Sequence, residues 1–396
     1  MPFLSSPVSL THGRGNNQRL FCGDRTRGST EGINRTSGIC SVLALFLTLF
    51  LTTPFLFDCK AQDKYVIANP YENVIWGVFA QHKGNLHTHT TISDGSLDPH
   101  QIVDQYHALG YTILSITDHS YMNRNPNHIT FPWEHFSKLV TVSKKAGPYK
   151  DRDAKSLGMI PIKGSELSPG HDTGSYFNNF PGSPKVAGVL DGITKQGGLA
   201  VFCHPGAYSK KYTDDWYVDF YSRYPVLVGM EVYNKGDLYP GDRQLWDRVL
   251  TRLMPNRPVW GFSGDDTHGP KNIGRNWNVF LLPELTEPEV RKSMEKGSFY
   301  FVYSPDGREG KPARINRITV DKQKGSILID ASDCSKIEWI SGGKVVHTGE
   351  QVSLRDIGHN GQGYVRARLY GIDGKSFTKT QPFGLVPTTE LIGLHP

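Results

Sequence analysis

The chain of 396 residues contains only five cysteines. Three of them, Cys22, Cys40 and Cys59, lie near the N-terminus, so Cys203 and Cys334 are the two that remain in the rest of the chain. Two widely separated cysteines cannot form the disulfide framework of a small secreted scaffold, and they do not suggest a cysteine-based structural zinc site. The fold must therefore depend on its hydrophobic core.

The sequence also lacks a strong excess of charge of one sign. The formal net charge is +6, and the first 61 residues contribute six basic and three acidic side chains to it. Without a basic block, charge gives no support to nucleic-acid binding. No internal repeat or low-complexity tract is present. With 21% charged and 37% hydrophobic residues, the composition is that of a globular protein.

One long apolar stretch occurs, near the N-terminus. Residues 36–57 carry no charge and include the run VLALFLTLFL, which follows several arginines. Cys59 and Ala61 stand at positions that a signal peptidase accepts, so cleavage is predicted before Gln62. The stretch is also long enough to span a bilayer as a retained anchor. Residues 1–61 are therefore predicted to be a leader with a signal peptide or membrane anchor, and the protein is expected to be exported, either periplasmic or extracellular.

Strand-like and helix-like segments alternate after the leader. The segment GNLHTHT is followed by a predicted helix in which Ile102, Val103 and Tyr106 recur at helical spacing, and then by the apolar YTILSITDHS. The alternation continues to PVWGFSGDDTHG. This pattern predicts an α/β fold with a parallel sheet, most economically a TIM-like barrel, over residues 62–305.

The pattern changes near Ser304. Apolar residues then alternate with polar ones in short runs such as RITVD, SILID and KIEWI, between turn signals such as Asp373-Gly374. Residues 306–396 are therefore predicted to form a small antiparallel β-sandwich domain. This segment offers no set of metal ligands, and a packing or surface-attachment role is expected for it.

Candidate metal ligands stand at the ends of the predicted strands. In a parallel barrel these ends open on one rim, where such barrels keep their active sites. A single histidine is more often structural, so the inference depends on the coincidence at several strand ends; the strand that ends at Asn234 is the exception. The residues concerned are His87, His89, Asp118, His119, Glu166, His204, Asp266 and His268.

Imidazole and carboxylate ligands without thiolate indicate Zn, Mn or Fe. A carboxylate such as that of Glu166 is the type that bridges two ions, so a multinuclear site is expected. Paired divalent ions activate water and neutralise charge on a phosphoryl group during its transfer.

These residues resemble the PHP (polymerase and histidinol phosphatase) superfamily of metal-dependent phosphoesterases over residues 84–303. The ordered motifs are HxH at His87 and His89, SDG with Asp94, TDHS at 117–120, GSE ending in Glu166, HP at His204, and D-x-H at Asp266 and His268. The resemblance implies a distorted (β/α)7 barrel that holds two or three divalent metal ions.

The resemblance also implies roles for individual residues. The first metal would be bound by His87, His89, Glu166 and Asp266, the second by Glu166 and His204, and the third by Asp94, His119 and His268. Asp118 would support the ligands. Asp266, His268, Glu166 and Asp118 are accordingly the predicted catalytic residues.

One departure from the family pattern concerns the second metal. Family members usually supply another histidine in a G-H-x-N setting, whereas this chain reads GSYFNNF. His171 either replaces that histidine from a shifted position or is a loop histidine. Candidates for contacts with a phosphorylated substrate are Lys163, Arg124, Lys235 and Asn234.

The sequence thus predicts an exported hydrolase of a small phosphorylated substrate, with no evident protein partner. Two alternatives stay open: hydrolysis of a carbon–nitrogen bond in the manner of an amidohydrolase, and a metal-binding module without catalysis.

We expect the purified chain from Gln62 to Pro396 to bind at least two equivalents of transition metal, because the ligand set is too rich for one ion. Elemental analysis after loading with Mn or Zn measures this. Less than one equivalent would exclude a multinuclear site.

Overall fold

The computed structural model describes residues 65–120, 130–141, 143–168, 170–358 and 362–386. The predicted leader with its cleavage site and the candidate Arg124 lie outside these ranges. None of the helices within them combines the length and the apolar character that a membrane span requires.

Helices and strands alternate through the first two thirds of the described chain, and strands dominate the remainder. The helices are α1 (Pro99–Ala108), α2 (Val186–Lys195), α3 (Asp214–Arg223), α4 (Gly241–Leu253), α5 (Glu287–Lys296) and α6 (Leu354–Gly358). The strands are β1 (Val66–Ala68), β2 (Ala80–Asn85), β3 (Ile113–Leu114), β4 (His119–Ser120), β5 (Ile160–Pro161), β6 (Gly164–Leu167), β7 (Thr173–Tyr176), β8 (Leu199–Phe202), β9 (Leu227–Asn234), β10 (Trp260–Gly264), β11 (Asn276–Leu282), β12 (Phe299–Tyr303), β13 (Arg314–Asp321), β14 (Ser326–Ser332), β15 (Cys334–Ser341), β16 (Lys344–Thr348), β17 (Gln351–Ser353), β18 (Tyr364–Gly371), β19 (Phe377–Lys379) and β20 (Phe383–Leu385).

The α/β class is as predicted, but the described strands do not form one closed hydrogen-bonded barrel. They form sheets of eleven, six and three strands. The six-stranded sheet has the order β10-β9-β8-β7-β6-β4, in which β7 runs antiparallel to both neighbours. A hairpin from β6 to β7 therefore interrupts the parallel pattern, and Gly170, with φ of 90°, provides a backbone conformation in its turn that favours glycine.

A backbone bridge connects the two larger sheets beside the candidate ligands. Thr88, just after β2, forms an isolated parallel bridge with Thr267, just after β10. The backbone N–H of His89 donates to the Thr267 carbonyl at 2.9 Å. The bridge brings the segment after β2, which carries the HxH motif, next to the segment after β10, which carries Asp266 and His268.

Burial on both faces explains the apolar character of the central strands. Every residue of β9, LVGMEVYN, is buried, as expected for a strand in the middle of an α/β sheet. Helix α2 covers the sheet with Val186, Val189, Leu190 and Ile193, whose spacing places them on one face.

The C-terminal strands pair antiparallel, with β14 between β13 and β17, and β18 next to β15, β19 and β20. Ile318 and Ile329 of the three-stranded sheet belong to the same buried cluster as Trp339 and Leu369. Strand β19 also pairs with β12, so the sheet that contains β2 continues into this region. All described residues belong to one compact unit, and the predicted domain boundary at residue 305 stays a prediction.

A buried ion pair links α4 to the C-terminal strands. Arg366 donates from Nε and Nη2 to the carboxylate of Asp247 at 2.9 and 2.7 Å, and the Tyr364 hydroxyl donates to the same carboxylate at 2.7 Å. Burial works to raise the pKa of Asp247, but the charge of Arg366 holds it below its usual value.

Arg366→Ala should lower the free energy of unfolding by about 3–5 kcal/mol, because it leaves the Asp247 carboxylate buried without its hydrogen-bonded ion-pair partner. Urea unfolding measures the change. The matched control is Arg252→Ala, which removes an exposed pair with Asp215 and should cost less than about 1 kcal/mol. Equal costs for the two variants would contradict a structural role for the buried pair.

Candidate metal centre

The candidate ligands converge from the ends of neighbouring strands. His87 and His89 follow β2, Asp118 and His119 stand at β4, Glu166 lies in β6, His204 follows β8, and Asp266 and His268 follow β10. Most of them are buried, although water normally surrounds such polar groups.

Glu166 lies at the centre of the cluster and is 1% exposed. Its Oε2 lies 3.3 Å from His87 Nε2 and 3.2 Å from His89 Nε2. Its Oε1 lies 3.1 Å from His204 Nε2. The two oxygens thus face two different groups of ligands, as a bridging carboxylate does.

The first group consists of His87, His89, Glu166 and Asp266. The Nε2 atoms of the two histidines lie 3.1 Å apart, and Asp266 Oδ1 lies 3.2 Å from His89 Nε2 and 3.6 Å from His87 Nε2. Donor atoms bonded at about 2.1 Å to one ion are about 3.0–3.4 Å apart in octahedral or tetrahedral geometry. The observed spacings are close to that range.

The second group consists of Glu166, His204 and Asp172. Asp172 Oδ2 lies 3.8 Å from His204 Nε2 and accepts a hydrogen bond from the Tyr208 hydroxyl at 2.6 Å. Sequence reasoning missed Asp172, although it directly follows His171. The turn between β6 and β7 decides which of these two neighbours faces the cluster, and the motif alone does not specify that turn.

The third group consists of Asp94, His119 and His268, with His89 at its edge. Asp94 Oδ2 lies 3.5 Å from His119 Nε2 and 3.3 Å from His268 Nε2. The side chain of Asp94 is 47% exposed, against 1% for Glu166. This group therefore lies on the solvent side of the other two.

His171 does not join the cluster. Its Nε2 lies 3.0 Å from the Tyr217 hydroxyl, its Nδ1 lies 2.9 Å from the Asp172 carbonyl, and its ring stacks on Tyr208 with centroids 4.2 Å apart. Burial lowers the pKa of His171 to about 3, so the ring is neutral. Both nitrogens face other partners, which favours the second of the two alternatives for His171, a loop histidine, over a metal ligand.

Glu231 orients two ligands and was missed in the sequence, where it lies inside the apolar strand β9. Its Oε1 lies 2.9 Å from His87 Nδ1, and its Oε2 accepts from the backbone N–H of His204 at 2.9 Å and from Asn234 Nδ2 at 2.8 Å. A carboxylate on the far nitrogen of a ligating histidine fixes its tautomer and raises its basicity. The sequence did contain one indication of this role, since Glu231 is an acidic residue inside the otherwise apolar segment LVGMEVYN.

Asp118 positions the loop that follows the HxH motif. Its carboxylate accepts from the backbone N–H and the hydroxyl of Thr90, both at 2.7 Å, and from the Ser93 hydroxyl at 2.6 Å. These bonds fix the chain between His89 and Asp94. These contacts give Asp118 a positioning role, and its predicted catalytic role stays a prediction.

Of the residues predicted to contact a substrate, Lys235 lies at the cluster, whereas Lys163 and Asn234 make other contacts. Lys235 Nζ lies 3.1 Å from His268 Nδ1 and 3.9 Å from Asp266 Oδ2, so its charge is at the cluster. Lys163 instead places its ammonium over the Phe131 ring, 5.0 Å from the centroid. Asn234 contacts Glu231 and acts on the site through it.

Backbone strain is concentrated at the same place. His204, Lys235 and Asp266, which follow β8, β9 and β10, have φ of 28°, 49° and 46°. Non-glycine residues adopt such conformations at a cost, and they do so most often at functional sites. Each strained residue turns the chain where a side chain reaches the cluster.

Histidines and carboxylates stabilise each other's charged forms. Burial works to raise the pKa of Glu166, but the charge of His87 and the hydrogen bond from His204 hold it well below the usual range. Burial works to lower the pKa of His204, but its hydrogen bond to Glu166 raises it to about 9. The buried carboxylates thus need positive charge beside them, which divalent cations also provide.

The donor set fits divalent ions. Among the described residues, neither Glu166 Oε2 nor His89 Nδ1 has a hydrogen bond of good geometry, although Oε2 lies 3.2–3.3 Å from imidazole nitrogens. Buried polar atoms that lie this close without well-formed hydrogen bonds are costly in a metal-free protein and normal among metal ligands. His87, His89, Glu166 and Asp266 would hold one ion, and the other two groups further ions.

Glu231→Gln should weaken metal binding about 10–100-fold without removing a ligand. The amide has one accepting oxygen, so it cannot serve both His87 and the two donors at Oε2. Titration with Zn and a competing chelator measures the affinity. Unchanged affinity, with an unchanged unfolding midpoint, would contradict the positioning role.

The sequence matches no protein-family model and no curated protein. Solved structures are similar to parts of it, among them the following three. A two-domain protein from Bacteroides vulgatus, described as containing a predicted PHP-like metal-dependent phosphoesterase, is 17% identical with a TM-score of 0.44, over 78% of this chain and 88% of that one. An amidohydrolase from Chromobacterium violaceum is 16% identical with a TM-score of 0.33, over 54% and 96%. The lesion-specific endonuclease EndoQ from Pyrococcus furiosus is 16% identical with a TM-score of 0.36, over 55% and 56%. At this level of similarity, none of them assigns an activity to this chain.

Proposed function

We propose that the protein is a metal-dependent phosphoesterase with two or three divalent ions. The observation that supports this is the placement of Glu166, whose two oxygens face separate groups of buried ligands 3.1–3.3 Å away. Such a carboxylate is built to hold two ions near each other. Ions held there would lower the pKa of a coordinated water and neutralise charge on the phosphoryl oxygens.

Lys235 favours a phosphoester over an uncharged amide. Its ammonium lies beside Asp266 and His268, where it can bind a non-bridging phosphate oxygen that faces the third group. The Lys235 side chain is 28% exposed, so it is accessible to a ligand. Asp266 Oδ1 and His268 Nδ1 lie 3.2 Å apart, so these two candidate ligands hold each other in position at the rim of the site. As ligands they would act on the reaction through the ions that they hold.

A panel of substrates tests the reaction class. The Mn- and Zn-loaded protein is assayed with a phosphomonoester, a phosphodiester and an amide of similar leaving group. Turnover of a phosphoester supports the proposal, and turnover of the amide alone assigns the carbon–nitrogen alternative. Metal binding without turnover of any of them assigns a non-catalytic module.

Glu166→Gln should lower both metal content and turnover more than Asp94→Asn does. The amide coordinates through one oxygen, so one group loses a ligand and the link between the groups is lost. We expect a decrease in turnover of at least about 100-fold for Glu166→Gln and about 10-fold for Asp94→Asn, since Asp94 serves only the exposed group. Metal content and kcat on one small phosphoester are measured for both variants. Full metal content in Glu166→Gln, with more activity than Asp94→Asn, would contradict the bridge.

A further inference from the structure

A cleft opens directly beside the second group of ligands. It has a volume of about 590 Å³ and begins at Pro205 and Gly206, which follow His204. Helices α3 and α4 form its sides, and Tyr212, Tyr217 and Tyr239 contribute aromatic surface. The ring centroids of Tyr239 and His204 are 5.9 Å apart, so the cleft and the metal centre share a wall.

A buried carboxyl group lies among the residues that line this cleft. Asp242 is 0% exposed, and among the described residues neither of its oxygens accepts a hydrogen bond of good geometry; the Gly206 backbone N–H makes only a weak contact with the carboxyl group. A Cβ at Gly206 would lie 2.5 Å from Asp242 Oδ1, so the absence of a side chain at Gly206 makes room for the carboxyl group. Burial raises the pKa of Asp242 to about 8, although the nearby Gly206 backbone opposes this.

The fold gains little from this carboxyl group. Asp242 lies in the first turn of α4, where a negative charge favours the helix, but an exposed carboxylate would do the same without the cost of burial. A buried polar group without a partner is destabilising, and such groups persist where function requires them. Asp242 is therefore better explained as a ligand-binding group than as a stabilising one.

The charges of the cleft exclude the phosphate itself. Arg248 is the one cation among its lining residues, and it is bound to Asp214 through Nε at 2.7 Å and Nη2 at 3.0 Å. Asp242 adds a further acidic group, so the lining offers no unpaired positive charge. The phosphate belongs with the metal ligands and Lys235, and the cleft accommodates the rest of the molecule.

We propose that this cleft binds the organic group esterified to the phosphate, and that this group is a ring bearing hydroxyl donors, as in a sugar. The inference rests on the proposed phosphoesterase function. Tyrosine rings pack on the face of such a ring, and Asp242 accepts from, and when protonated donates to, its hydroxyl groups.

Two esters of matched shape test the proposal. Glucose 1-phosphate and cyclohexyl phosphate both carry phosphate directly on a six-membered ring, and only the first has hydroxyl donors. The wild type should prefer glucose 1-phosphate in kcat/KM. Asp242→Leu should reduce the ratio of the two kcat/KM values about tenfold, the effect of one hydrogen bond, and Asp242→Asn should reduce it less.

Stability separates this role from a structural one. Asp242→Leu replaces an unpartnered carboxyl group with an apolar group of similar shape, so its melting temperature should equal or exceed that of the wild type. The control is Asp219→Asn, which removes a carboxylate on α3 that is 55% exposed and does not line the cleft. The substrate ratio of this control should equal that of the wild type.

Several outcomes would overturn the proposal. A ratio in Asp242→Leu within twofold of the wild type would do so, as would a wild type without preference between the esters. A preference of more than tenfold for glucosamine 1-phosphate over glucose 1-phosphate would assign an ammonium ligand instead.

If Asp242→Leu does not fold, the variant Tyr239→Ala tests the proposal. Its kcat/KM for glucose 1-phosphate relative to methyl phosphate should fall about tenfold, and an unchanged value contradicts binding of the organic group in the cleft. Turnover of methyl phosphate alone contradicts only the cleft, whereas turnover of no phosphoester contradicts the proposed function as well.

Discussion

The Glu166 carboxylate, buried between two groups of histidines and acids, is the constraint on which the site depends. Burying one ionised group without a partner is unfavourable, and here several lie within hydrogen-bonding distance of each other. The arrangement is stable only if positive charge is present at the same place, from imidazolium groups or from metal ions. The surrounding residues of the site hold these groups in their relative positions.

Two carboxylates, those of Glu231 and Asp118, fix the relative positions of the candidate ligands. Glu231 connects the His87 ring to the His204 backbone, and so joins the ends of strands that lie far apart in sequence. Asp118 fixes the loop between His89 and Asp94 with three hydrogen bonds. The donors to Asp118 lie in the loop after β2, and the partners of Glu231 follow β2 and β8 or belong to β9. Removal of these carboxylates would leave the ligands in place but free to turn, which is why affinity for metal should be more sensitive than the fold.

The sequence allowed prediction of the candidate ligands at strand ends, which the fold brings together, because a strand end and a metal-binding motif are both local features. His87, His89, Glu166, His204 and Asp266 could be read in this way. Asp172 and Glu231 could not. Whether Asp172 or its neighbour faces the cluster depends on the geometry of the β6–β7 hairpin. The partners of Glu231 depend on which strands lie next to β9 in the sheet. For His171 the sequence left two alternatives open, a replacement for the histidine that the family pattern leaves missing or a loop histidine, and it is its neighbour Asp172 that lies beside Glu166 and His204. A motif does not specify the turn geometry that decides between these two neighbours.

The geometry of the site imposes a cost on the rest of the protein. His204, Lys235 and Asp266 each adopt a left-handed backbone conformation, which costs on the order of 1–3 kcal/mol per residue. Buried charges add to this cost, and so does the unpartnered Asp242. The compensation must come from apolar packing elsewhere, and the large side chains of Trp133, Trp246 and Trp339 are fully buried away from the ligands. Strain at three successive strand ends is therefore offset by the strands themselves, because β8, β9 and β10 are buried along their whole length and pair with each other. The C-terminal strands continue the other large sheet through the pairing of β19 with β12, and so add to the buried structure that compensates for the strain.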